Sequence, residues 1–142
     1  MKIYIASSWK NQHAVEMLTA MLREKGHTVF SFIEVGRCEK NICNIDGWIA
    51  SDDGRAKFEY DTHAATKSNL VIYISPSGPD AWAEVGAAWA SGVGVFGLRA
   101  KGEQIGLMRR MVAKWFEDYK ELLEWFDVYE LSKKKGNEIC QN

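Results

Sequence analysis

Two carboxylates, Asp80 and Glu84, stand four residues apart on a stretch of this 142-residue chain whose composition is that of a helix. An i, i+4 spacing puts both side chains on one helix face, at a repulsive cost of about a few tenths of a kcal/mol. The positive end of the helix dipole offsets part of it. Glu84 is the only charged residue between Ala81 and Val95, with Ala83, Gly86, Ala87 and Ala90 around it. A solvated face carries several charges, so this helix reads as mostly buried. A lone buried carboxylate has to be paired, hydrogen-bonded or functional. Asp80 has a second reading, because Ser77-x-x-Asp80 matches a capping box with Pro79 in the first turn. Asp61, in Glu59-Tyr60-Asp61, is either a solvated face residue or a polar group aimed at a ligand. Tyr4, on an apolar strand, is either a core residue or part of the same site.

The elements that must position these groups follow from periodicity. Lys2–Ala6, Thr28–Ile33, Asn69–Ser75, Gly94–Leu98 and Met111–Phe116 are short apolar, β-rich runs, as expected of strands in a sheet covered on both faces. Between the first two, Ala14, Val15, Leu18, Met21 and Leu22 recur at helical spacing and Gly26 stands where a C-terminal cap belongs. Asp52 and Asp53 are placed to cap a helix over Arg55–Lys67 whose inner face would carry Phe58, Thr62 and Ala65. The helix with Glu84 runs Asp80–Ser91, and Asp118-x-x-Glu121 opens a last helix over Tyr119–Leu131. Residues 34–53 are long for a connection, which points to a lid or binding loop with Trp48 and Ile49 packing down.

Alternation of strand and helix predicts an α/β fold, a three-layer doubly wound (flavodoxin-/Rossmann-like) five-stranded parallel sheet in one domain over residues 1–132, with a polar tail at 133–142. Such sheets bind ligands beyond the carboxyl ends of their strands. That gathers Ser7, Ser8 and Trp9 after the first strand with Ser75, Ser77, Gly78 and Asp80 after the third. The loop after strand one lacks the glycines of a dinucleotide fingerprint, and no phosphate-loop motif occurs. What remains is a small ligand held by hydroxyls, backbone amides and carboxylates.

Composition narrows the partners. The net charge of −1 gives no footprint for a nucleic acid polymer or an anionic membrane. No run is long enough to span a bilayer or to serve as a signal peptide, so a cytoplasmic protein is expected. Cys38, Cys43 and Cys140 fit no zinc spacing and read as free thiols, and His13, His27 and His63 as surface residues. No metal and no cofactor are expected. Six tryptophans are many for this length, and Trp82, Trp89, Trp115 and Trp125 together favour a homodimer or higher homo-oligomer.

The strand Lys2-Ile3-Tyr4-Ile5-Ala6, the helix ending in Gly26, Asp61 ahead of strand three, the turn and helix from Pro76 through Asp80 and Glu84 to Ala88, and Gly106-Leu107-Met108 resemble the nucleoside 2-deoxyribosyltransferase family and its N-glycoside hydrolase relatives. The resemblance covers most of the chain. It implies retaining glycosyl transfer at the anomeric carbon of a nucleoside or nucleotide, with Glu84 as nucleophile. Asp61 and Asp80 would handle the base and its proton, Tyr4 would position Glu84, and a homo-oligomer is implied. Such chemistry needs a carboxylate nucleophile and a proton donor for the leaving group. Ser7, Ser8 and Ser77 would suit a 5′-phosphate. A non-catalytic nucleotide-binding or sensing module on the same scaffold is the competing reading.

Overall fold

Alternate residues of the first strand enter two different cores. Ile3 and Ile5 pack on one side of the sheet, Tyr4 and Ala6 on the other, and all four are fully buried. The computed structural model describes residues 1–36, 45–104 and 106–139, with side chains as far as residue 133. The three cysteines lie outside the described residues. The strands are β1 (Lys2–Ala6), β2 (Thr28–Ser31), β3 (Leu70–Ile74), β4 (Gly94–Leu98) and β5 (Lys114–Phe116). Their order is β2-β1-β3-β4-β5 with every neighbouring pair parallel, so direction of winding reverses between β1 and β3.

The helices are α1 (Gln12–Glu24), α2 (Ile45–Ile49), α3 (Asp52–Lys67), α4 (Pro79–Ala90) and α5 (Tyr119–Ile139). Val15, Leu18 and Leu22 of α1, with Leu122 and Phe126 of α5, fill the core on the Ile3 face. Ala64 and Ala65 of α3, with Ala81, Val85 and Ala88 of α4, fill the Tyr4 face. The three-layer expectation holds. Small residues on the second face let α3 and α4 approach the sheet and each other closely.

Several local expectations change. The strand at Thr28 ends at Ser31, and Phe32–Val35 turn into a 3₁₀ helix, as do Leu107–Met111 ahead of a β5 of three residues. Ser51, not Asp52 or Asp53, caps α3: its Oγ accepts the Gly54 amide at 3.2 Å, leaving both aspartates in the first turn. Ala65 faces the core as expected, but Phe58 points to solvent at 66% exposure, because α3 turns Ala64 inward beside Ala65. Trp48 is half-buried but Ile49 is 61% exposed. His27 is buried rather than superficial. Its ring packs against Phe126 with centroids 5.0 Å apart and planes tilted by 49°, and burial lowers its affinity for a proton. The last helix continues past Leu131 to Ile139. Its start agrees with expectation: Asp118 Oδ1 accepts the amides of Lys120 and Glu121, and Glu121 accepts that of Glu117. Among the described residues no helix is long and apolar enough to cross a membrane.

Candidate active site

The carboxyl ends of β1, β2 and β3 open into a cleft of about 510 Å³. Tyr4 is fully buried and does not itself line the cleft, but its hydroxyl donates to Asp61 Oδ1, which does, at 3.0 Å. Glu84 approaches the same hydroxyl from α4, so strand, α3 and α4 converge on one phenol. Both carboxylates line the cleft, as does Asp80 at its mouth. Glu84 is only 9% exposed, and its Oε2 is buried with no hydrogen-bond partner among the described residues.

The electrostatics follow from that placement. Burial, then the Asp61 charge, push the Glu84 carboxyl from its ordinary 4.5 up to about 8, while the Tyr4 hydroxyl pulls the other way. Burial likewise raises Asp61 from 3.8 to about 6, against the hydrogen bond from Tyr4. Tyr4 itself is pushed far up by burial and by the two carboxylates, so it stays a neutral donor. Two coupled carboxyls titrating near neutrality are suited to take and give protons at physiological pH.

Expected residues fall into three groups. Tyr4, Asp61 and Glu84 meet directly. Ser7, Ser8, Trp9, Ser77, Gly78 and Asp80 join Asp61 and Glu84 around the cleft. Ser75 does not line it: its Oγ donates to the Leu98 carbonyl at 2.7 Å and accepts the Ala100 amide, fastening β3 to the end of β4. Ser7 is also engaged, donating to the Ile74 carbonyl and accepting from Asn11 Nδ2, both at 2.9 Å. The hydroxyls of Ser8 and Ser77 are different. Both are buried and unpartnered among the described residues.

The capping-box reading of Asp80 is overturned. The N-cap of α4 is Gly78, in extended conformation and without a side-chain cap, so Ser77 lies one residue too early. Asp80 is exposed in the first turn, free to face a ligand at the mouth.

Of the remaining cleft residues, Val35, Gly36 and Trp48 fall in the stretch read as a lid or binding loop, whereas Phe32 and Lys57 were not singled out. Phe32, Val35, Gly36, Trp48 and Lys57 form the wall on the β2 side. Trp48 donates to Asp53 Oδ2 at 2.8 Å, and Lys57 binds both oxygens of Asp53 at 2.6 and 2.7 Å. Gly54 allows this wall to form, because a Cβ there would lie 2.3 Å from the Trp48 carbonyl oxygen. Asn11 joins two loops of the cleft by also donating to the Pro76 carbonyl at 2.8 Å. Lys57 had a readable signal: it precedes Asp61 by one helical turn. Phe32 had none, as its placement depends on β2 ending early.

No protein-family model and no curated protein sequence matches the chain. Solved structures do. A 2-deoxyribosyltransferase from the psychrotolerant bacterium Bacillus psychrosaccharolyticus matches with a TM-score of 0.68 at 25% identity, over 86% of this chain and 90% of that one. The CMP N-glycosidase BcmB of Clostridium botulinum has the same fold, with a TM-score of 0.58 at 20% identity over 89% and 99% of the two chains. So does a conserved protein from Enterococcus faecalis V583, with a TM-score of 0.61 at 16% identity over 87% and 95%. The chain is thus similar to the nucleoside 2-deoxyribosyltransferase-like proteins, as its sequence resemblance implied.

Proposed function

We propose that the protein cleaves, or exchanges the base across, the N-glycosidic bond of a nucleoside or nucleoside 5′-monophosphate, with Glu84 as nucleophile. One observation carries this reading: a buried carboxylate with an unpartnered oxygen lines the cleft beside a second carboxylate, both held to one tyrosine hydroxyl. The likeness in fold to a 2-deoxyribosyltransferase and a CMP N-glycosidase supports it.

In the ionised state, a Glu84 oxygen attacks the anomeric carbon as the bond to the base nitrogen breaks, giving a glycosyl ester and a base that takes up a proton. Asp61 and Asp80 line the cleft to hold the base and supply that proton. Water, or the nitrogen of an acceptor base, then attacks the same carbon and releases Glu84. Before attack Glu84 must lose its proton, and the Tyr4 hydroxyl favours that loss. Ser8 and Ser77, which line the cleft with hydroxyls unpartnered among the described residues, the second adjoining the N-terminus of α4, support the phosphorylated form of the substrate.

The test is incubation with a panel of nucleosides and 5′-monophosphates, with and without an acceptor base, following free base by chromatography. Base release by wild type, lost in Glu84→Ala, is expected. Release that persists in Glu84→Ala would refute the nucleophile. No turnover by wild type, with thermal stabilisation by a nucleotide, would leave a binding or sensing module.

A further inference from the structure

Beyond the cleft, one half-buried carboxylate reaches in from an otherwise exposed loop. Glu103 follows β4, with Lys101, Gly102 and Gln104 exposed around it. Its Oε1 accepts a hydrogen bond from the Tyr73 hydroxyl and a second, at 3.0 Å, from Trp82 Nε1. Its Oε2 is buried with no partner among the described residues. The two donors belong to different parts of the site's frame. Trp82 lies on α4, two residues before Glu84, and its ring packs against Tyr73 with centroids 4.6 Å apart. The backbone amide of Ser77, a residue that lines the cleft, also acts on the Tyr73 hydroxyl, favouring its ionised form.

We infer that Glu103 is a positioning residue for the reaction, a latch that reaches from the loop after β4 to hold the first turns of α4 and the Ser77 turn in register with Tyr4. The inference rests on the proposed glycosidic chemistry for its consequence in rate, though not for the latch itself. The N-terminal end of α4 otherwise lacks a side-chain cap. Glu103 supplies a tether of another kind, to one side chain of β3 and one of the helix rather than to orphan amides. Hydrogen bonds to a carboxylate are the stronger sort, and one from the strand with one from the helix on a single oxygen ties α4 to the sheet and resists its rotation about its axis. Rotating α4 would swing the Glu84 carboxylate away from Tyr4 and from the anomeric carbon. A misplacement of about 1 Å in a reacting group costs on the order of a hundredfold in rate.

The experiment compares wild type with Glu103→Ala, with Glu103→Gln, which keeps an acceptor oxygen for both donors, and with Leu122→Val, which opens the opposite core on α5. Hydrogen exchange by mass spectrometry over residues 77–84 reads the latch without reference to activity. Base release at a temperature well below every variant's Tm reads its consequence. In Glu103→Ala, exchange over 77–84 should quicken about tenfold or more, and kcat should fall between about ten- and a hundredfold with a smaller change in KM. Glu103→Gln should recover most of both, and Leu122→Val should change neither. Wild-type exchange over 77–84 in Glu103→Ala, or a loss of kcat no larger than that of Leu122→Val, would overturn the inference. Should wild type release no base, the glycosidic reading fails by itself, and the exchange result with its Gln rescue still decides the latch.

Discussion

Replacing Glu84 with glutamine should stabilise the protein, by an amount that grows with pH. Folded, the Glu84 carboxyl holds its proton up to about pH 8, whereas in the unfolded chain it releases it near 4.5. Between those values the folded state binds a proton that the unfolded state lacks, so raising the pH through this window draws the equilibrium toward unfolding. Were the whole shift expressed, stability would fall by about 4 kcal/mol between pH 5 and pH 9. Glutamine has nearly the same volume, can still meet the Tyr4 hydroxyl and never ionises, so this part of the pH dependence disappears. For a chain of this length the difference in Tm, Glu84→Gln minus wild type, should climb from nearly zero at pH 5 to roughly 10 °C at pH 9. Taking the difference cancels the titration of groups that do not interact with Glu84 and leaves that of the coupled Asp61–Glu84 pair. Differential scanning fluorimetry across five buffers suffices as an assay. Parallel curves, with a constant offset, would show that Glu84 is not held protonated by burial and Asp61, and the electrostatic account of the site would fall with it.

Other outcomes follow from the same geometry. The kcat/KM of base release should be bell-shaped with limbs near 6 and 8, because the step needs Glu84 ionised and one proton kept on the pair for the base. Tyr4→Phe should move the upper limb upward, since the hydroxyl lowers the Glu84 value, and Asp61→Asn, which removes the acid, should leave a single rising limb below 8 at a lower rate. Identical limbs in all three proteins would refute the assignment. Ser8→Ala and Ser77→Ala should raise KM for a 5′-monophosphate about tenfold, the loss of roughly one hydrogen bond to a charged group, and leave the nucleoside unaffected in paired steady-state assays. Gly97→Ala should destabilise the fold by about 1–3 kcal/mol in urea titration, through overpacking, because a Cβ there would sit 2.5 Å from the Trp115 ring. Trp89, at 59% exposure on α4, fits the proposed homo-oligomer; a monomer at micromolar concentration in light scattering would argue against one.

The central strands and α4 were legible because burial on both faces writes itself into composition. β3 is five buried residues in a row, and α4 between Ala81 and Ala90 has one charge. That single charge marked Glu84. Asp61 and Tyr4 were reached through a resemblance, since either residue type occurs as readily on a solvated face or in a core. What stayed hidden depends on distant partners. His27 is buried by Phe126, about a hundred residues away, and nothing near it in sequence signals this. Phe58 misled because helical spacing admits more than one inner face, and α3 is turned to bring Asp61 to Tyr4 and Gly54 to the Trp48 carbonyl. Ser75 and Ser77 are two residues apart with the same side chain. Only the position of Leu98 and Ala100 beside Ser75 separates a backbone fastener from a hydroxyl free for a ligand.

The alternation of β1 between two cores carries a practical corollary. Tyr4, Asp61, Asp80 and Glu84 all belong to the α3–α4 side of the sheet, while Ile3, Ile5, α1 and α5 occupy the other. The polypeptide is therefore divided like a tool into a working edge and a handle. Repacking Leu22, Leu122 or Phe126 for robustness leaves the reacting groups alone, whereas bulk added at Ala81 enters the groove and bulk at Ala64 or Ala88 strains the core that Tyr4 shares. A laboratory seeking a hardier variant should mutate the handle first.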